Sequence, residues 1–221
     1  MMTKVKICGL STPETITAAI EAGVDFVGLV FYPPSPRHVD IEVAAYLAKQ
    51  IPETVKIVGL FVDPNDQMLQ NVLNAVPLSM IQLHGDEQPE RVANIKKTFG
   101  LPIIKALSIS DDNDLEEAIL YDGIVDWLLF DARPPVDLIA IGPNEKALPG
   151  GNGIAFDWNI LKGYQGQSPW MLAGGLTPDN VVDAITIIHP KAVDVSSGVE
   201  TGAGIKDLAK IQAFISAVKQ A

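Results

Sequence analysis

Cysteine, histidine and arginine are scarce in this chain. Its 221 residues include one cysteine, Cys8, three histidines (His38, His84 and His189) and three arginines (Arg37, Arg91 and Arg133). A single cysteine excludes an internal disulfide and suits a reducing, cytoplasmic setting. Histidines so widely scattered suggest no metal site. Positive charge is also short: 16 Lys and Arg face 27 Asp and Glu, a net charge of −11. That balance argues against nucleic acid or an anionic membrane as partner, although a local site can still oppose the global charge and hold a small anion. No apolar run approaches the ~18 residues of a membrane span. The first residues, MMTKVKICG, carry neither the apolar stretch nor the cleavage site of a secretory signal, so a cytoplasmic location is expected.

What the chain does have is apolar mass, 48% of its residues, enough for one large core. Short β-branched runs recur along it. They are KVKICG (4–9), DFVGLVF (25–31), KIVGLFV (56–62), SMIQLHG (79–85), PIIKAL (102–107), DWLLFDA (126–132), WMLAGG (170–175) and AVDVSSG (192–198). Helical patterns follow most of them. Ser11-x-x-Glu14 with Pro13 reads as a capped helix start, and Thr177-Pro178-Asp179 as another. Strands alternating with helices imply right-handed crossovers and a parallel sheet. Eight such units in this length match a closed (β/α)₈ TIM barrel of class α/β, one catalytic domain spanning residues 1–221; an open doubly wound sheet is the rival. No linker or composition shift divides the chain.

In a barrel, chemistry sits on the loops after the strands' C-terminal ends. Two of these loops are long here: FYPPSPRHVD (31–40) and DARPPVDLIAIGPNEKALPGGNG (131–153). The stretch Ala132 to Pro149 is expected to be a lid that excludes water; an insertion without a role is the alternative.

Cys8 ends the first run, in VKICGLSTPET. Alternation sets Lys6 and Cys8 on the face opposite Val5 and Ile7. With the apolar pair toward the helices, Lys6 points into the barrel and Cys8 reaches its upper rim. A buried cysteine with no chemistry would also fit. Asp131 ends the sixth run and reads either as a cap or as a functional carboxylate. His84 ends the fourth run and faces the same rim. Arg37, in a proline-stiffened loop at that end, is suited to fork onto a carboxylate. Alternation also points Asp194 inward, next to Lys6 once strands 1 and 8 meet on closure, so an ion pair is expected. Three glycine-rich or serine-rich segments follow the late runs: Gly151-Asn152-Gly153, Gly174-Gly175 and Ser197-Gly198. Backbone N–H groups in such segments can approach an oxyanion closely, and barrels often bind phosphate after strands 7 and 8.

Taken in order, KICG, FYPPSPR, GLFV, QLHG, LLFD, GGNG–FDW, LAGGL–PDNV and DVSSGVE resemble the motifs of the phosphoribosylanthranilate isomerase family across nearly the whole chain. The resemblance implies a (β/α)₈ fold. It also implies isomerisation of N-(5′-phosphoribosyl)anthranilate to 1-(2-carboxyphenylamino)-1-deoxyribulose 5-phosphate, a step of tryptophan biosynthesis. It assigns Cys8 as general base, Asp131 as general acid and Arg37 as the anthranilate clamp, and sets His84 and Asp194 near the substrate. Asn152 stands where the family usually has Thr or Ser, so phosphate contact there is expected from backbone N–H groups rather than from a hydroxyl. No metal and no cofactor is required. The implied partner is a small phosphorylated substrate, for a monomer or homodimer. A lyase or synthase barrel acting on a related phosphorylated precursor would need paired strand-end Lys and Glu. Only Lys105 offers such a lysine, and no strand-end glutamate accompanies it. A non-catalytic phosphate-binding barrel is the other alternative.

Overall fold

The computed structural model describes residues 2–132 and 158–221. Most of the expected lid segment, Arg133, and the expected phosphate residues Gly151, Asn152 and Gly153 lie outside them. Eight parallel strands close into a barrel in chain order. They are β1 (Lys4–Cys8), β2 (Phe26–Val30), β3 (Lys56–Phe61), β4 (Met80–Leu83), β5 (Ile103–Ile109), β6 (Trp127–Ala132), β7 (Trp170–Ala173) and β8 (Ala192–Val195). Each lies within or close to one of the eight β-branched runs. The closure is the pairing of β1 with β8, which sets Lys6 opposite Asp194. This is the (β/α)₈ barrel that the strand count implies, and the open sheet is ruled out.

Helices follow the first five strands: α1 (Pro13–Glu21), α2 (Ile41–Ala48), α3 (Asp66–Ala75), α4 (Pro89–Phe99) and α5 (Asp112–Ile119). After β6 the described residues resume in a 3₁₀ helix, Trp158–Gly163; α6 (Val181–Ile188) follows β7 and α7 (Leu208–Gln220) follows β8. Among the described residues no helix is long and apolar enough to cross a membrane. Two helix starts differ from the sequence reading. The cap of α1 is Thr12, whose hydroxyl accepts from the Thr15 backbone N–H, rather than Ser11. That register sets Pro13 in the first helical position, where a missing N–H costs nothing. The segment Thr177–Asp179 is a turn ahead of α6. Its Thr177 N–H donates to the side chain of Asn180, which in turn donates to the Gly175 carbonyl.

Alternation sorts the strand residues into two apolar layers. Val5, Ile7, Val27, Leu29, Ile57, Ile81, Leu128 and Val193 pack outward against the helices. Phe26, Val58, Met80, Ile104, Leu129 and Met171 fill the barrel interior. Toward the mouth Val30 and Leu60 form an apolar patch with Cys8, and the polar inward residues around it are the groups of the site. Lys6 is fully buried and its Nζ lies 2.9 Å from Asp194 Oδ1, the expected ion pair. Burial pulls the Lys6 pKa down, but the charges of Asp194 and Cys8 and their hydrogen bonds outweigh it, so the net shift is upward. Breaking such a pair from one side costs about 3–5 kcal/mol, because the other charge stays buried. Lys6→Met is therefore expected to lower the melting temperature by roughly 10 °C. Thermal unfolding followed by circular dichroism checks this; an unchanged midpoint would remove the pair from the stability of the barrel.

One element was not expected from the sequence. After β8 the chain makes a 3₁₀ turn (Ser197–Val199) and then a small antiparallel hairpin, β9 (Glu200–Gly202) and β10 (Ile205–Lys206). It stands at the barrel mouth.

Candidate active site

The C-terminal ends of the strands open into a cavity with about 750 Å³ of empty space continuous with solvent. Cys8, Arg37, His84, Asp131 and Asp194 all line it. So do Gly174, Gly175, Ser197 and Gly198. Every site residue expected from the sequence that falls among the described residues thus faces this one space.

Cys8 is 4% exposed and is paired in register with Gly28 of β2. A Cβ on Gly28 would stand 2.9 Å from the Cys8 sulfur, so the glycine leaves room for the thiol. Burial pushes the thiol pKa up; Lys6 and Lys206 pull it back, Asp194 adds to the rise, and the net shift is upward. The buried cysteine therefore feels two ammonium groups, those of Lys6 and Lys206. A proton it accepts, or the charge it develops, is felt strongly there because little water screens it.

Asp131 ends β6, three strands from β1 around the ring. It is buried, and its Oδ2 lies 3.3 Å from His84 Nε2. Behind the histidine, Gln82 of β4 approaches Nδ1 with its amide nitrogen at 3.3 Å. With Gln82 donating to Nδ1, the histidine proton sits on Nε2 and points at Asp131. A carboxylate formed at Asp131 thus has a donor already aimed at it.

The small-residue loops form one wall. Gly174 and Gly175 both adopt left-handed backbone, with φ of 85° and 63°, which side-chain-bearing residues rarely adopt. Asn180, ahead of α6, holds the Gly175 carbonyl. A Cβ on Gly198 would overlap the Leu176 carbonyl, so the loops after β7 and β8 press together only because that position is a glycine. Residues of both loops line the cavity, and glycine-bearing loops of this kind commonly offer backbone N–H groups to an oxyanion.

Arg37 also borders the cavity. Its stem lies over Gly9, where a Cβ would come within 2.9 Å of Arg37 Cδ. The guanidinium is already forked: Nε donates to Glu200 Oε1 at 2.8 Å and Nη2 to Glu200 Oε2 at 2.9 Å. Lys206 Nζ donates to the same carboxylate at 2.7 Å and to the carbonyl and hydroxyl of Ser196. Burial raises the Glu200 pKa, but Arg37 and Lys206 outweigh it and hold the group below the usual carboxylate range. Glu200, Lys206 and Gln82 were not singled out from the sequence. The only signal for Glu200 was its place in DVSSGVE.

Lys105, the lysine a lyase reading needs, does not reach this cavity. Its neighbours Ile104 and Ala106 point inward, so alternation turns Lys105 outward. There its Nζ lies 2.8 Å from Glu87 Oε2 and donates also to the Gly85 carbonyl. Glu87 accepts in addition from the Asp63 and Gly85 N–H groups. This buried knot ties the loops after β3 and β4 and so steadies the segment bearing His84.

The chain is similar to known proteins over nearly its whole length. Residues 5–217 match the family model described as N-(5′-phosphoribosyl)anthranilate (PRA) isomerase. The N-(5′-phosphoribosyl)anthranilate isomerase of Paramagnetospirillum magneticum is 52% identical over 219 residues, covering 99% of this chain and 98% of that protein. The crystal structure of phosphoribosyl anthranilate isomerase from Thermotoga maritima superposes with a TM-score of 0.85 at 35% identity, covering all of both chains. A second isomerase structure, in complex with reduced 1-(o-carboxyphenylamino)-1-deoxyribulose 5-phosphate, gives a TM-score of 0.82 at 33% identity, again over all of both chains. With the family model matched along nearly its whole length, this chain belongs to the N-(5′-phosphoribosyl)anthranilate isomerases, enzymes of tryptophan biosynthesis.

Proposed function

We propose that the chain, acting as one catalytic barrel in the cytoplasm, isomerises N-(5′-phosphoribosyl)anthranilate with Cys8 as general base and Asp131 as general acid. The reaction is an Amadori rearrangement and needs two proton transfers at one sugar. Asp131 gives its proton to the ribose ring oxygen. The bond from that oxygen to C1′ breaks, and the nitrogen lone pair closes a C1′=N iminium. Cys8 then takes the C2′ proton, and the electrons left behind neutralise the iminium as an enolamine. Loss of the enol proton and protonation at C1′ give the ketone. The observation that supports this best is that Cys8 and Asp131, on well-separated strands, line one cavity from different sides. His84 stabilises the carboxylate that Asp131 becomes, through its Nε2–H at 3.3 Å. Asp194, held by Lys6, and His84 border the sugar.

The phosphate fits the wall made by Gly174, Gly175, Ser197 and Gly198, joined by Gly151, Asn152 and Gly153 as the ordered motifs imply. The anthranilate carboxylate fits Arg37. Its Nε and Nη2 edge is taken by Glu200, while among the described residues no hydrogen bond takes the edge bearing Nη1 and the second Nη2 proton, which suits a second carboxylate. Arg37→Lys is therefore expected to raise KM more than it lowers kcat, since lysine keeps the charge and loses both forks. A variant that binds the reduced product analogue as tightly as wild type would remove Arg37 from substrate recognition. The reading as a whole is tested by the loss of substrate fluorescence on addition of purified protein. The Cys8 and Asp131 roles are tested by their single variants.

A further inference from the structure

We infer that Glu200 is a positioning residue for substrate recognition: it orients the Arg37 guanidinium so that its second edge meets the anthranilate carboxylate. The inference rests on Arg37 being the carboxylate clamp.

Arginine at the end of a long stem is a poor clamp unless something fixes its plane, because the rotamer freedom lost on binding weakens each hydrogen bond formed. Here the plane is fixed. The two bonds to Glu200 leave the guanidinium no rotation about its own axis. Glu200 is itself fixed from the other side. Lys206 holds Oε1, the Gly204 N–H approaches Oε2 at 3.3 Å, and Lys210 Nζ donates to the Glu200 backbone carbonyl at 2.7 Å. The hairpin that carries Glu200 is pressed onto the loop that carries Arg37: a Cβ on Gly204 would overlap the Pro36 carbonyl. Gly204 also has a left-handed φ of 77°, so the turn cannot readily take another residue. Lys206 further bonds to Ser196, whose hydroxyl donates to the Cys8 carbonyl. The hairpin thus joins the clamp to the strand end that bears the proposed base.

Charge matters as much as orientation. A carboxylate beside the clamp would by itself repel the anthranilate. Lys206 cancels it, so Arg37, Glu200 and Lys206 together remain singly positive and receptive to one anion. All three side chains are 11% exposed or less, which keeps the interaction from being screened away.

The test separates orientation from charge and from folding. Glu200→Asp keeps the charge but shortens the reach, so the fork onto Arg37 cannot form as it stands. The double variant Glu200→Gln with Lys206→Met keeps the cluster singly positive and removes the anionic fork. Binding of two probes is measured by calorimetry: reduced 1-(o-carboxyphenylamino)-1-deoxyribulose 5-phosphate and the same compound without its carboxylate. Wild type should prefer the first. Both variants should lose about tenfold of that preference, the size of one spoiled charge-assisted hydrogen bond, while the carboxylate-free probe binds as before. A merely structural role would weaken both probes alike, and that result overturns the inference. So does an unchanged preference, or a preference that grows, which would make Glu200 a competitor of the substrate. Arg37→Ala distinguishes the two levels. If it abolishes the preference while the Glu200 variants keep it, only the positioning role fails. If Arg37→Ala keeps the preference, the clamp itself fails and the inference with it.

Discussion

Cys8→Ala is expected to lower kcat by about 10²–10⁴-fold while leaving affinity for the reduced product analogue within about twofold of wild type. The loss follows from chemistry: alanine has no lone pair with which to take the C2′ proton. The preserved affinity follows from the site. The thiol is 4% exposed and the contacts expected to hold the substrate, at Arg37 and the glycine loops, lie elsewhere on the cavity wall. The fold should also survive, because cysteine to alanine removes a single sulfur from a small apolar cluster with Val30 and Leu60, against which Tyr32 and Val62 pack. The pH profile adds a second check. A general base must be deprotonated before it acts. Burial pushes the Cys8 thiol above its ordinary value of about 8.5, against the pull of Lys6 and Lys206. Deprotonated cysteine is thus the minor form near neutrality, and kcat/KM of the wild type should climb as pH rises above 7. The residual activity of Cys8→Ala should lack that climb. A purified variant with kcat near wild type, or one that keeps the same alkaline rise, would remove Cys8 from the proton transfer.

The parts of this site that could be read in the sequence are those that follow from alternation and closure. Val5 and Ile7 outward force Lys6 and Cys8 inward, and a barrel that closes must bring β1 beside β8. Those two facts, with Asp194 also inward by alternation, bring Lys6 and Asp194 together, and the register sets them 2.9 Å apart. Most strand ends were legible because the run stops at or near a glycine, a charge or a proline; PIIKAL has no such stop, and β5 continues past it to Ile109. The start of α1 was misread by one residue, since Ser11 and Thr12 are both good caps and only the backbone decides between them. Glu200 and Lys206 were beyond reach for a different reason. VETGAGIK has no apolar alternation, and the hairpin it forms has strands of three and two residues. Its position is fixed by packing against Pro36, more than 160 residues earlier, and not by any local preference. The same holds for Lys105, where the sequence shows a lysine in a strand but not the Glu87 that turns it into a structural pair.

Asp131→Asn should be as damaging as the loss of the cysteine, with kcat reduced by about 10²–10⁴-fold. An amide N–H is far too weak an acid to protonate a ring oxygen, so the C1′–oxygen bond would have to break without help. The substitution is nearly isosteric, and the asparagine oxygen can still accept from His84 Nε2 at the 3.3 Å position that Oδ2 holds now. Circular dichroism and the melting temperature should therefore match wild type; an unfolded variant would mean that Asp131 serves the barrel and not the reaction. The two variants should also differ in which step they slow. With Asp131 gone, ring opening becomes limiting, and replacing the C2′ hydrogen of the substrate by deuterium should leave the residual rate unchanged. With Cys8 gone, removal of that same hydrogen is limiting, and deuterium should slow the residual rate severalfold. A deuterium effect that is large in Asp131→Asn and absent in Cys8→Ala would exchange the two roles, giving the acid to strand β1 and the base to β6.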